Sequence, residues 1–247
     1  MCTLIALHRC VPGLSLVIAA NRDEYLDRPS EGPALRPGPA GPLVAPRDVR
    51  EGGTWLGVNG TGLFAGVTNR PAPAPDPGRR SRGLLVLDAL GAGSAAQAAR
   101  ALEALPVGAY NPFNLLVADG EDAFVATYRE EVKVRALQPG VHVIGNADPG
   151  ERAVPKLARL LADAERAAAA GADGVLDALA ALCRRHVGCE NPLEETCIHT
   201  PLYGTRSSTL LAVGGGRSSL RYADGPPCGS DYEDFTPLLR QLAESDL

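Results

Sequence analysis

The sequence predicts a layered α+β fold of stacked antiparallel sheets covered by helices, and three observations carry that prediction. Strand-like segments come in two runs, each contiguous in sequence, and many are apolar on both faces, as strands sandwiched between other layers must be. Segments with helical periodicity are inserted between the runs. Tight-turn signals, above all Pro12-Gly13 and Asn59-Gly60, join neighbouring strands into hairpins. The chain has 247 residues, 45% of them apolar, enough for one large core, and nothing in it reads as a linker; one domain over 1–247 is expected.

The elements follow in order. Thr3 to His8 and Ser15 to Asn21 form a hairpin about Val11-Pro12-Gly13-Leu14. Pro29 to Pro46, rich in Pro and Gly, reads as a long surface loop. Residues 54–58 and 63–68 pair across Asn59-Gly60-Thr61-Gly62, and Pro71 to Pro77 reads as an exposed spacer. A short helix is expected over Ser81 to Leu90, and the Ser94-Ala95-Ala96-Gln97 capping box precedes another over Ala98 to Leu105. Four strands, 113–118, 123–128, 132–137 and 141–145, suggest an antiparallel meander. Arg152 to Ala170 and Asp173 to His186 form a helical pair broken at Gly171. Strands 208–213 and 218–222 and a last helix from about Tyr232 to Glu244 complete the chain.

Composition narrows the partners. A net charge of −5 and a mean hydropathy near zero leave no basic surface suited to nucleic acid, and acidic partners are disfavoured. The six cysteines are too few and too irregular for a disulfide scaffold, which favours a reducing compartment. The first apolar stretch is cut by His8-Arg9 and Pro12-Gly13 and lacks a basic leader, and no run approaches the roughly 20 apolar residues of a membrane span. A cytoplasmic protein without an integral membrane segment is expected.

Chemistry concentrates at the start of the chain. Removal of Met1, usual before a small residue, makes Cys2 an N-terminal residue that carries a nucleophilic thiol and, in its α-amine, a base. A hairpin reversing between Pro12 and Gly13 sets residue i opposite 25 minus i, which brings Cys2 beside Asp23 and, with one residue of slip, beside Arg22. The polar cluster Asn21-Arg22-Asp23-Glu24 therefore reaches the level of the nucleophile.

These residues add up to a resemblance. Met1-Cys2-Thr3, Asn21-Arg22-Asp23-Glu24 with Arg28-Pro29, Gly52-Gly53-Thr54-Trp55-Leu56-Gly57-Val58-Asn59, Thr68-Asn69-Arg70, Asn111-Pro112-Phe113-Asn114-Leu115 and Tyr203-Gly204-Thr205-Arg206-Ser207-Ser208-Thr209 resemble the NRDE family, which includes transport and Golgi organisation protein 2 homologues. The resemblance implies a four-layer αββα sandwich similar to the N-terminal-nucleophile cysteine hydrolases. By it, Cys2 would attack an acyl carbon, its α-amine would take the thiol proton, Asp23 would orient the amine and Arg22 would favour the thiolate. Asn69 and Asn146, at strand ends, are candidate oxyanion donors, and Arg206 is a candidate for holding a substrate carboxylate or adding positive potential at Cys2. Asn21 and Glu24 are candidate ligand-binding residues.

The resemblance also implies two kinds of small-molecule partner, an acyl compound such as an acyl-coenzyme A, or haem. Hydrolysis by Cys2 requires no cofactor. Without a Cys-x-x-Cys-His attachment sequence any haem would be noncovalent, with His8, His142, His199 or Cys2 as conceivable ligands. Cys183, His186, Cys189, Cys197 and His199 match no common zinc spacing, and no metal is assigned. The functional expectation is a cysteine amidohydrolase or thioesterase; the alternatives are a noncatalytic haem or acyl-coenzyme A carrier on the same scaffold, and a scaffold in membrane trafficking.

Overall fold

The computed structural model describes residues 2–72, 74–148 and 154–245. The fate of Met1 and the expected helical residues Arg152 and Ala153 lie outside the described residues. In chain order the elements are β1 (Thr3–Val11), β2 (Leu14–Tyr25), β3 (Ser30–Gly38), β4 (Gly41–Asp48), β5 (Leu56–Asn59), β6 (Phe64–Asn69), α1 (Arg82–Leu90), α2 (Ala95–Glu103), β7 (Phe113–Ala118), β8 (Ala123–Tyr128), β9 (Val132–Ala136), β10 (Gly140–Ile144), α3 (Pro155–Ala168), α4 (Gly171–Cys183), β11 (Tyr203–Val213), β12 (Ser219–Asp224), β13 (Glu233–Asp234) and α5 (Thr236–Glu244).

Two antiparallel sheets stack face to face. One has the order β10-β1-β2-β11-β12-β13, the other β3-β4-β5-β6-β7-β8-β9. Period-two alternation explains why β1 and β2 are apolar on both faces: Leu4, Ala6, Leu16, Ile18 and Ala20 pack between the sheets against Val44, Phe64 and Leu116. The intervening Ile5, Leu7, Val17 and Ala19 pack outward on Leu160, Val175 and Leu179 of α3 and α4. On the far side Leu63, Ala65, Leu115 and Val117 of the second sheet meet Leu85, Val86 and Ala99 of α1 and α2. The result is the αββα sandwich.

Several expectations need correction. Pro29 to Pro46 is not a loop, since β3 and β4 pair there from Ser30↔Asp48 to Gly38↔Gly41. The prolines of β3 are tolerated because it is an edge strand whose ladder skips a step between Glu31 and Ala34, where Pro33 sits. The meander stops at β9, and β10 crosses to the other sheet to pair with β1, Leu4↔Ile144. Only the second sheet gathers strands contiguous in sequence; the first unites both ends of the chain with β10.

The β1/β2 register also differs from the simple hairpin. Pairing runs Thr3↔Asn21 to His8↔Leu16, a residue sum of 24 rather than 25, because a bulge intervenes before Val11↔Leu14. Arg9 in the bulge has φ 52°, a left-handed conformation rare outside glycine. The slip continues the ladder so that Cys2 stands level with Arg22.

Candidate active site

β1 delivers Cys2 to the end of the first sheet, where the last residues of β2 and the first of β11 meet it. Its thiol points at the Asp23 main-chain oxygen, Sγ to O 3.8 Å. Burial pushes the thiol up from its ordinary value, and the carboxylate of Asp23 adds to that. A thiol in this setting stays protonated near neutral pH until a base takes its proton.

Alternation along β2 sorts the expected residues. Arg22 shares the inter-sheet face with Ala20; its guanidinium lies 4.4 Å from the Trp55 ring centroid and 3.9 Å from Asp48 Oδ2. Its Nη1 is buried and has no hydrogen-bond partner among the described residues. Asp23 faces the helical layer. Its Oδ1 accepts from the Thr205 hydroxyl at 2.6 Å, while its Oδ2 is buried and unpartnered among the described residues. The Tyr203 hydroxyl donates to its main-chain oxygen at 2.7 Å. Burial raises the Asp23 carboxyl to about 6, against the pull of the nearby Lys156 ammonium.

Two cavities reach Cys2. One, of about 200 Å³, is lined by polar and charged groups including Arg22, Glu24, Arg28, Asn69, Arg79 and Arg82. The other, of about 290 Å³, is mostly apolar, with Pro71, Val154, Leu157 and Leu193 in its wall and Asn146 and Lys156 at its polar end. Cys2 belongs to both.

The remaining expected residues divide. Asn69 and Asn146 flank Cys2 from opposite cavities, and the Asn146 amide donates to the Asn69 main-chain oxygen. The Thr68 hydroxyl and the Asn114 amide both donate to the Gly145 oxygen, at 2.6 and 3.0 Å, which fixes the turn carrying Asn146. Glu24 lines the polar cavity, its Oε1 accepting from the Tyr25 amide. Asn21 and Arg206 line neither cavity. Asn21 turns to the helical layer, where its amide donates to the Cys183 and Thr196 main-chain oxygens at 3.0 and 2.9 Å. Arg206 is the extra residue of a bulge between Thr205↔Asp23 and Ser207↔Arg22. Of the two Pro-rich segments, the second reaches the cavities, with Asp76, Pro77, Arg79 and Arg80 lining the polar one and Pro71 the apolar one, whereas residues 29–46 touch neither.

Sequence reasoning missed Thr205, Tyr203, Lys156 and Arg82. Lys156 is buried on the first turn of α3; burial lowers its ammonium pKa while Asp23 opposes the change. Arg82 opens α1 and donates to the Pro112 main-chain oxygen at 3.0 Å. Burial lowers its pKa while a Cys2 thiolate would raise it, and both residues line the polar cavity. Tyr203 and Thr205 stood within a quoted motif, Thr205 beside the named Arg206; Lys156 and Arg82 carry no local signal.

Comparison with known proteins agrees with this fold. The family described as Transport and Golgi organisation 2 matches residues 1–222. The chain belongs to this family. Relatives named transport and Golgi organization protein 2 homolog, from Bos taurus and from Homo sapiens, are each 29% identical over 226 residues, covering 80% of this chain and 82% of the relative. Among solved structures, a conjugated bile acid hydrolase from Clostridium perfringens superposes with a TM-score of 0.58 at 12% identity, covering 96% of this chain and 93% of that one. A Caenorhabditis elegans N-acylethanolamine-hydrolyzing acid amidase ortholog gives 0.54 at 13% identity, covering 85% and 92%. This member of the family thus has the N-terminal-nucleophile hydrolase fold, a hydrolase-like scaffold. Among the described residues no helix is long and apolar enough to cross a membrane.

Proposed function

We propose that the protein is an N-terminal-nucleophile cysteine hydrolase that cleaves an amide or thioester by acyl transfer through Cys2. The observation that carries this reading is the buried carboxylate of Asp23, whose main-chain oxygen the Cys2 thiol points at, with Oδ1 held by Thr205 and Oδ2 left for a donor. Once Met1 is removed, the α-amine of Cys2 is the donor nearest in the chain, and no other base is needed.

In the first half-reaction Cys2 Sγ bonds to the acyl carbon and its proton passes to the α-amine. The carbonyl electron pair moves to oxygen, where Asn69 and Asn146 are the neighbouring amide donors. Collapse breaks the bond to the leaving amine or thiol, which departs with the proton held by the amine. Water then attacks the thioester, giving one proton to the amine; the carboxylic acid leaves and that proton returns to the thiolate. Arg22 supplies positive potential on the thiol's face throughout.

The neighbouring cavities support an acyl group on the apolar side and a charged or polar leaving group beside the arginines. Haem fits less well. His8, His142 and His199 line neither cavity, which leaves Cys2 alone of the four conceivable ligands. No step is assigned to it.

Intact-protein mass spectrometry of native material tests the reading, before and after brief exposure to a panel of acyl-coenzyme A thioesters and N-acyl amides. Loss of Met1 and an acyl adduct that is absent in Cys2→Ala are expected. A retained Met1 with no adduct would sink it in favour of a noncatalytic ligand carrier.

A further inference from the structure

Away from Cys2, four side chains from three separate segments converge on one point. His186 follows α4, Cys197 and His199 flank Ile198 in the extended segment before β11, and Cys228 sits in the turn after β12. Their ligand atoms all lie within 4.8 Å of one another. Cys197 Sγ is 3.6 Å from Cys228 Sγ and 3.6 Å from His199 Nε2, and His199 Nε2 is 3.1 Å from Cys228 Sγ. The His186 ring stands with its centroid 5.2 Å from that of His199.

We infer that His186, Cys197, His199 and Cys228 form a structural zinc site that clasps the end of α4, the 196–200 segment and the 226–230 turn behind the candidate catalytic strand. Zinc bonds of about 2.3 Å to sulfur and about 2.0–2.1 Å to nitrogen set tetrahedral neighbours about 3.3–3.8 Å apart; the two separations from Cys197 Sγ, 3.6 Å each, fall in that range, and His199 Nε2 to Cys228 Sγ, at 3.1 Å, is slightly shorter. The fourth, on exposed His186, needs only a side-chain adjustment to close the set. Two thiolates and two imidazoles suit zinc, and four protein ligands leave no open position for a substrate. A disulfide is the competing use of the two cysteines, but it would need the sulfurs at about 2.05 Å and would leave both imidazoles without a role. The exposure of His186, His199 and Cys228 provides an entry path for the ion.

The surrounding bonds give the clasp its consequence. Arg184 Nε donates to the Pro227 main-chain oxygen at 2.9 Å, tying the Cys228 turn to the end of α4. The residues beside Cys197 hold the active-site strand: the Thr196 oxygen accepts from Asn21, and the Ile198 amide donates to the Thr205 hydroxyl, which in turn donates to Asp23. The ion thus anchors the segment that orders Asn21 and Asp23, whether or not Cys2 performs chemistry. The sequence concealed it because the order His, Cys, Cys-side His, distant Cys fits no common finger, and the fourth ligand lies beyond two strands.

The test is elemental analysis of the full chain purified without chelator, with cobalt(II) titration of chelator-stripped protein. About one zinc per chain is expected, along with the intense visible bands and thiolate charge transfer of a tetrahedral two-sulfur cobalt centre. Cys197→Ser/Cys228→Ser should hold less than about a tenth of that zinc, and His186→Ala, altered at an exposed position, should surrender its zinc to a chromogenic chelator at least about tenfold faster. Should the double variant fail to fold, the cobalt spectrum of the wild-type chain decides. Zinc below about a tenth per chain with no tetrahedral cobalt spectrum would overturn the inference, as would a Cys197–Cys228 disulfide in the native mass or zinc undiminished in the folded double variant.

Discussion

Asp23 gives the candidate site a pH signature near neutrality. Its folded carboxyl titrates near 6, above the ordinary 3.8, so the folded chain binds this proton more tightly than the unfolded chain does. Its contribution to stability is therefore greatest below about pH 4 and declines as pH rises through about 6, by roughly 2–3 kcal/mol in all. Asp23→Asn lacks this slope. Denaturant titrations of the two proteins from about pH 4 to about pH 7 should show the wild type losing ground to the variant; parallel curves would refute the assignment. Acylation has the opposite dependence, because the carboxylate form is what orients the amine, and adduct formation should rise through about pH 6. Thr205→Val removes a hydrogen bond that favours the carboxylate, so the same limb should move to higher pH.

Asn21 illustrates how a conspicuous motif residue can serve the scaffold. The polar run Asn21 to Glu24 alternates in direction, so its odd members face the helices and its even members face the neighbouring sheet. Asn21→Ala should strand the Cys183 and Thr196 oxygens at a cost of about 1–3 kcal/mol each, and Asn21→Asp should cost more, since a carboxylate would face two carbonyl oxygens. Equal stability of all three proteins by urea denaturation would contradict the clamp.

At the scale of elements, the glycine-rich motif before β5 acts by close approach. A Cβ on Gly53 would lie 2.3 Å from the Gly83 carbonyl carbon, and the Thr54 amide donates to the Gly83 oxygen at 3.1 Å. This contact seats the first turn of α1, with Arg82 and Gly83, against the polar cavity. Gly53→Ala should destabilise by about 1–3 kcal/mol and weaken capture of anionic acyl probes before neutral ones; an adduct yield unchanged for both would exclude the coupling. The two bulges matter as much. The one at Arg9 sets the register that brings Cys2 level with Arg22, and the one at Arg206 lets Thr205 and Ser207 both stay paired with β2. A bulge follows from how neighbouring strands twist and stack, and a single strand's residue pattern does not encode it.

Across the whole molecule, the crossing of β10 from the end of the β7–β9 meander to the edge of the first sheet creates the site. It carries Asn146 to Cys2 and opens the apolar cavity between β10 and the start of α3. If that cavity takes the acyl chain, Leu193→Trp should lower adduct formation with long acyl probes by about tenfold or more while sparing acetyl. A uniform loss across chain lengths in the mass assay would point instead to a damaged nucleophile.

Read alone, the sequence determined the layered α+β class, the two-faced apolar strands, the helical caps and the cluster of Cys2, Arg22 and Asp23, because each depends on local periodicity or on a hairpin short enough to follow by counting. The Ser94 side chain, for instance, caps α2 as its capping-box pattern requires, accepting from the Gln97 amide. Tertiary structure alone decided which face each polar residue takes, that 29–46 is sheet, that Asn21 and Arg206 lie outside the walls of the two cavities, and that Lys156 and Arg82 join Cys2. It also decided that His186, Cys197, His199 and Cys228 meet. Those outcomes turn on bulges, crossovers and contacts between segments far apart in the chain, whose energies depend on neighbours that no local window contains.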